Sequence, residues 1–257
     1  MNKFSIRSDF NHSGNKKCAG CGKIFKFSDI QWDGKDIEYN SDTLWIDSFC
    51  SKQCVLILKK RAEYETRLAN IDNILWKSGV PEIYLRCSFE NFRPETQNHL
   101  RAVDFLKAIT LPLKKSILLF GPCGTGKTHL AVATMRKLLI NDPNSNPLFI
   151  SAPRLIGEIR AGTVGESEFT EEEVIAKYTT NRFLVIDDIG VEKPSAFVAQ
   201  CWYRIVDTRT ANGLPTMFTS NLGREEITEQ MGPRVASRLF GCTTIPIDGT
   251  DKRGQRL

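Results

Sequence analysis

The stretch Ser116-Ile117-Leu118-Leu119-Phe120-Gly121-Pro122-Cys123-Gly124-Thr125-Gly126-Lys127-Thr128 decides the fold. Its first five residues read as a buried strand. The rest has the spacing G-x-x-x-x-G-K-T and runs into a helical segment from His129 to Leu139. Gly121, Gly124 and Gly126 permit a loop curled so that successive backbone N–H groups face one phosphate chain, and the helix behind it points its positive end at the same place. Lys127 reaches the β- and γ-phosphates as a point charge, and the Thr128 hydroxyl is a ligand for Mg²⁺. Pro122, Cys123 and Thr125 complete the loop; His129, beside it, is read as a helix-surface or core residue at the edge of the nucleotide and not as a catalyst. Strand, glycine-rich turn and helix in this order predict an α/β protein that binds a nucleotide.

The second informative stretch is Arg182-Phe183-Leu184-Val185-Ile186-Asp187-Asp188-Ile189-Gly190. Its apolar run predicts a strand buried on both faces, and in an open parallel sheet ligands gather at the carboxyl ends of the strands. Asp187 is placed to hold Mg²⁺, directly or through water, and Asp188 to orient and deprotonate an attacking water. An Asp pair that only caps the next turn is the plainer alternative, and the phosphate loop upstream argues against it. Leu214-Pro215-Thr216-Met217-Phe218-Thr219-Ser220-Asn221-Leu222 predicts a third strand. Asn221, at its carboxyl end, can hold the lytic water or sense the γ-phosphate; a turn-forming Asn is the rival reading. Leu148-Phe149-Ile150-Ser151 reads as a further strand, lying in the chain between the two phosphate-handling ones.

The chain has 257 residues, 41% hydrophobic and 25% charged, which excludes a wholly disordered or fibrous protein. Apolar runs such as Cys54 to Leu58 fall far short of the roughly 20 residues a membrane span needs. The start Met1-Asn2-Lys3-Phe4-Ser5 has no apolar signal core. A soluble, cytoplasmic protein without a membrane partner is expected. Lys and Arg exceed Asp and Glu by 35 − 30 = 5, a surplus that permits contact with nucleic acid without requiring it.

Four of the eight cysteines fall in close pairs, Cys18-x₂-Cys21 and Cys50-x₃-Cys54. Each pair supplies two thiolates on one tight turn, and together they close a tetrahedral Zn²⁺ shell with no position left for water, which predicts structural and not catalytic metal. Lys17-Cys18-Ala19-Gly20-Cys21-Gly22-Lys23 has the form of a knuckle, and Cys50 to Cys54 leads into the apolar run Val55-Leu56-Ile57-Leu58, a helix start. The unit resembles a treble-clef zinc finger, with Ile24-Phe25-Lys26-Phe27 and Thr43-Leu44-Trp45-Ile46 as its strands. Its lysines (Lys16, Lys17, Lys23, Lys26, Lys35) and aromatics (Phe25, Phe27, Trp32) suit single-stranded nucleic acid, and a protein partner is the equal alternative. The scattered Cys87, Cys123, Cys201 and Cys242 read as small buried residues. Leu56 to Lys77 reads as a helix stopped by Gly79-Val80-Pro81, so the division is residues 1–75 for the zinc unit with its trailing helix and 76–257 for the nucleotide-binding domain.

The motifs after residue 80 resemble the AAA+ ATPases, and within them the DnaC-type helicase loaders and the IstB-type transposition ATPases. The resemblance runs through Ser88-Phe89-Glu90-Asn91-Phe92, Walker A at Gly121 to Thr128, Walker B at Val185 to Gly190 and Ile205-Val206-Asp207-x-Arg209. It continues with Thr219-Ser220-Asn221-Leu222 as sensor 1 and Arg234-Val235-Ala236-Ser237-Arg238-Leu239 as box VII. It implies ATP as the nucleotide, Mg²⁺-dependent hydrolysis and a P-loop AAA+ parallel sheet flanked by helices. By the same resemblance Arg238 is the arginine finger that reaches the γ-phosphate of a neighbouring subunit, Arg234 the second candidate, and Arg253 stands where loaders keep a sensor 2 arginine. Two departures are visible: Asp188 occupies a position that is often Glu, and the chain after box VII is too short for a full lid domain. The implied function is a loader that assembles with ATP, binds a replicative hexameric helicase and places it on single-stranded DNA. The rival keeps the ATPase and serves a transposase on target DNA. Residues 154–177 are expected near the DNA path, although Glu171-Glu172-Glu173 reads as an acidic helix start and not as a DNA contact.

Overall fold

The computed structural model describes residues 15–17, 24–26 and 52–253. The chain divides into two units, Met1–Ala69 and Asn70–Leu257. In the first, strand β1 (Asn15–Lys17) pairs antiparallel with β2 (Ile24–Lys26), Lys17 opposite Ile24. Helix α1 (Lys52–Lys77) carries Cys54 in its first turn, and its residues from Asn70 onward belong to the second unit. Cys18, Cys21, Cys50 and the side chain of Cys54 lie outside the described residues, and so do Trp32 and the strand expected at 43–46.

In the second unit the elements run α2 (Gln97–Ala108), β3 (Ile117–Phe120), α3 (Lys127–Asn141), β4 (Leu148–Ser151), α4 (Ala152–Val164), α5 (Glu171–Thr180), β5 (Leu184–Asp187), α6 (Ala196–Ala211), β6 (Thr216–Ser220), α7 (Arg224–Met231), α8 (Pro233–Phe240) and β7 (Thr243–Pro246). The strands form one sheet in the order β4-β5-β6-β3-β7, parallel throughout. Successive strand residues face opposite sides. Ile117, Leu119, Val185 and Met217 pack with Leu75, Leu106 and Leu130 on one face. Leu118, Leu184, Ile186 and Phe218 pack with Leu155, Trp202, Ile205 and Leu239 on the other. Helices cover both faces, which is why these strands read as unbroken apolar runs.

Local signals set the helix starts. Thr96 accepts the His99 N–H at 3.1 Å to cap α2, and Ser195 accepts the Val198 N–H at 3.2 Å to cap α6. Thr170 and Glu173 form a reciprocal capping box at α5. The acidic triplet belongs to that start: Glu173 closes the box, while Glu171 and Glu172 pair with Arg204 of α6. Pro233 opens α8 directly after Gly232, so box VII is a helix of its own.

Two features depart from a simple reading of strand order. β6, and not β4, lies between the strands that carry the phosphate loop and the two aspartates; β4 is the sheet's edge. The sheet also gains β7, whose alternating half-buried and exposed residues mark the opposite edge. Among the described residues no helix is long and apolar enough to cross a membrane.

Candidate functional site

The phosphate loop leaves the carboxyl end of β3 and closes on itself before α3 begins. Thr125 Oγ1 donates to the Pro122 carbonyl at 3.0 Å, and the Gly121 N–H donates to Ser220 O of the adjacent strand at 3.2 Å. Three loop glycines are required by close approach, and at Gly121 (φ 143°) a Cβ would lie 2.1 Å from the Ile247 carbonyl oxygen. At Gly124 (φ 74°) a Cβ would lie 1.7 Å from the Asp251 carboxylate, and at Gly126 (φ 99°) it would lie 2.6 Å from the Phe92 ring. Lys127 is 4% exposed, and its ammonium donates to the carbonyls of Gly121 at 2.8 Å and Pro122 at 2.6 Å. Burial pulls its pKa below the usual lysine value, opposed by the carboxylate of Asp188.

Across β6, Asp187 ends β5 and faces Thr128. The Thr128 hydroxyl donates to its two oxygens at 2.9 and 3.1 Å, and the buried Thr219 hydroxyl donates to Oδ1 at 2.6 Å. Desolvation, with the neighbouring Asp188 charge adding to it, pushes the Asp187 carboxyl up to about 6, while the bond from Thr219 holds it down. Thr128 and Asp187 thus bring a hydroxyl and a carboxylate together, the hard oxygen donors that suit Mg²⁺.

Asp188 takes a left-handed backbone conformation (φ 58°), which Asp tolerates better than most residues. Its N–H donates to Thr219 Oγ1 at 2.9 Å, and its carboxylate accepts from Asn221 Nδ2 at 3.1 Å. The backbone turns here so that two consecutive carboxylates serve different partners: Asp187 faces the phosphate loop and Asp188 faces the end of β6. Thr219 touches both. Sequence reasoning placed it in sensor 1 without a role, because a mid-strand threonine is an ordinary β residue.

A cleft of about 570 Å³ opens over the loop. Gly124, Gly126, Lys127, Thr128, His129, Asp188, Asn221 and Arg253 all line it. Its far wall, unforeseen from the sequence, comes from Ile83, Tyr84, Arg86, Asn91, Phe92 and Lys252. His129 Nε2 lies 2.8 Å from the Ser88 carbonyl, and its ring meets Phe92 edge-on.

The segment 248–253 after β7 straps this wall down. Asp248 accepts from Thr96 at 2.5 Å and Asn98 at 2.9 Å, and Thr250 donates to Glu95 at 2.9 Å. The Lys252 N–H donates to Gly124 O at 3.1 Å, while its ammonium donates to Arg93 O at 2.6 Å and sits 5.0 Å from the Phe92 ring centroid. Arg253 follows and is held by its N–H to Asp251 at 2.9 Å.

The structure does not bring the box VII arginines to this cleft: neither Arg234 nor Arg238 lines it. Arg234 is exposed. Arg238 donates to the Arg234 carbonyl at 3.1 Å and to the Asp207 carboxylate.

The family described as IstB-like ATP binding protein matches residues 78–240. The replicative helicase loader DnaC of Escherichia coli (strain K12) is 30% identical over 180 residues, 69% of this chain and 72% of that protein. DnaC of Buchnera aphidicola subsp. Baizongia pistaciae is 30% identical over 178 residues, 68% and 72% of the two chains. Among solved structures, the DnaC helicase loader superposes with a TM-score of 0.59 at 20% identity, covering 65% of this chain and all of that one. DnaI does so at 0.56 and 23%, covering 68% and 94%, and AMPPCP-bound DnaA from Aquifex aeolicus at 0.55 and 20%, covering 65% and 52%. These structures share the AAA+ fold. The family match over residues 78–240 and the matches to these relatives show that the chain belongs to the IstB-like ATP-binding protein family, among relatives that include the DnaC helicase loaders.

Proposed function

We propose that the chain is an ATP-dependent loader that delivers a replicative hexameric helicase to single-stranded DNA. The observation that carries the reading is the pair of carboxylates at the tip of β5, one facing Thr128 of the phosphate loop and the other held by Asn221. Relatives named replicative helicase loaders match over two thirds of the chain, which supports the choice of client.

The loop N–H groups and the α3 terminus hold the triphosphate, and Lys127 exchanges its carbonyl partners for phosphate oxygens. Thr128 and Asp187 hold Mg²⁺, which when bound offsets charge on the β- and γ-phosphates. Asp188 accepts a proton from the water that attacks the γ-phosphorus as the bond to the β,γ-bridging oxygen breaks. Asn221 orients that water and Arg253 meets the phosphates from the strap. Arg238, with Arg234 as the second candidate, stabilises the developing charge from a neighbouring copy, so hydrolysis waits on assembly. The Cys18, Cys21, Cys50 and Cys54 set holds Zn²⁺ and builds the unit that grips a partner protein or DNA.

A transposition ATPase is the second reading, favoured by the family match at residues 78–240. Purified chain mixed with the replicative helicase of its host, with and without ATP, tests the proposal. A nucleotide-dependent complex that deposits helicase on single-stranded DNA is expected. No complex, together with capture of a transposase encoded beside it, overturns the reading.

A further inference from the structure

The motif Ile205-Val206-Asp207-Thr208-Arg209 on α6 has no part in the nucleotide cleft, yet its two charged residues make definite contacts. Residues two apart on a helix point roughly 200° away from each other. Arg209 turns inward and is 1% exposed. It donates to Thr216 Oγ1 at 2.7 Å and to the carbonyls of Tyr178 at 2.7 Å, Asn181 at 2.9 Å and Pro215 at 2.8 Å. It thereby pins the end of α6 to the start of β6, the strand that ends in Thr219 and Asn221. Asp207 turns the other way, toward α8, and its carboxylate pairs with the Arg238 guanidinium. Tyr203, one turn earlier on α6, presents its ring 5.3 Å from the same guanidinium, and the Arg234 carbonyl takes a third side. Arg238 keeps 31% of its side chain exposed, so the group is held and still reachable.

We propose that Asp207 and Tyr203 are positioning residues that form a seat for Arg238, fixing the guanidinium in the orientation it needs to enter a neighbouring copy's nucleotide site. The proposal rests on the reading that Arg238 acts in trans. An arginine side chain has many rotamers, and one ordered in advance gives up little freedom when it meets the phosphate. A partly exposed ion pair adds little to stability, so its value here lies in placement and not in the fold. Misplacing a charge by about 1 Å is worth on the order of 100-fold in rate.

The test uses the full chain with single-stranded DNA present. Asp207→Ala should lower ATP hydrolysis on the order of 10- to 100-fold, with ATP affinity and melting temperature little changed, and Asp207→Glu should restore most of the rate. Mixing Asp207→Ala with Asp188→Asn subunits, which keep the finger but lack the base, should recover hydrolysis, as should mixing Arg238→Ala with Asp188→Asn. Wild-type rates in Asp207→Ala beside a dead Arg238→Ala overturn the seat. So does rescue of Arg238→Ala without rescue of Asp207→Ala, which puts the defect inside Asp207's own subunit. No rescue of Arg238→Ala at any ratio removes the trans reading, and the seat falls with it. Should Asp207→Ala fail to bind ATP, Asp207→Asn, which keeps the shape of the side chain, carries the same comparison.

Discussion

Replacing Asp187 by Asn should stabilise the protein while ending its hydrolysis. The carboxyl is 6% exposed, and desolvation lifts it from 3.8 to about 6. At about 1.36 kcal/mol per pKa unit, that gap corresponds to about 3 kcal/mol of destabilisation when the group is ionised in a magnesium-free protein. The folded-state value is the higher one, so the favourable contribution is complete below about 4 and is lost as pH rises through about 6. Asn carries no charge at any of these values. It can accept from Thr219 and Thr128 as the carboxylate does, but its amide group needs an acceptor of its own, which trims the expected gain to about 1–3 kcal/mol. For a folded unit of this size that is a rise in melting temperature of roughly 3–10 °C at pH 7.5. Thermal melts of both proteins at pH 7.5 and pH 4 without magnesium, with an ATPase assay in parallel, provide the measurement. The advantage should shrink toward zero at the lower pH. A variant less stable than wild type at pH 7.5, or an advantage of equal size at both values, refutes the account of Asp187 as a buried charge awaiting a cation.

Lys127→Ala should abolish ATP binding in a fluorescent-nucleotide titration, and unchanged affinity would remove the phosphate-loop assignment. Arg209→Ala leaves the carbonyls of Tyr178, Asn181 and Pro215 without their donor. It should cost about 3–5 kcal/mol in urea denaturation, and a loss under about 1 kcal/mol contradicts the pinning role. Gly124→Ala drives a methyl into Asp251 and should weaken ATP binding about tenfold or more by displacing the strap; wild-type affinity would show that the strap does not shape the cleft. Metal analysis of the full chain should find about one zinc, lost in Cys50→Ser; a metal-free wild-type protein ends the zinc assignment.

The parts of the site that were legible in the sequence are those whose chemistry is local. The run from Ile117 to Thr128 contains its strand, its glycine turn and the lysine and threonine that open the helix, and the run from Phe183 to Asp188 contains both its burial and its acids. What could not be read depends on which segments meet. The order of strands is a long-range property: nothing in Leu148 to Ser151 marks it as an edge, and nothing in Thr216 to Ser220 marks it as the strand between loop and aspartates. β7 escaped notice because Thr243-Thr244-Ile245-Pro246 is half polar, as an edge strand can be, and its proline is tolerated there. The strap consists of polar residues that look like any surface tail until Asp248, Thr250 and Lys252 find partners about 150 residues earlier in the chain. Phe92 was visible as part of a motif, but its contact with Gly126 was not. The acidic triplet at 171–173 was read correctly as a helix start; its clasp on Arg204 required the fold.

The place of β6 limits how this site can be governed. With one strand lodged between the two that matter, the backbones of β3 and β5 stand two interstrand steps apart, roughly 10 Å, and the side chains of Thr128 and Asp187 close that gap to a hydrogen bond of 2.9 Å. The middle strand is a built-in gauge: Ser220 O meets the loop on one side, and Thr219 meets both aspartates on the other. A gauge of this kind does not stretch in small increments. On the proposed reading, control comes from what is laid over the top of the sheet or brought up beside it, which assigns timing to the 248–253 segment and to neighbouring molecules.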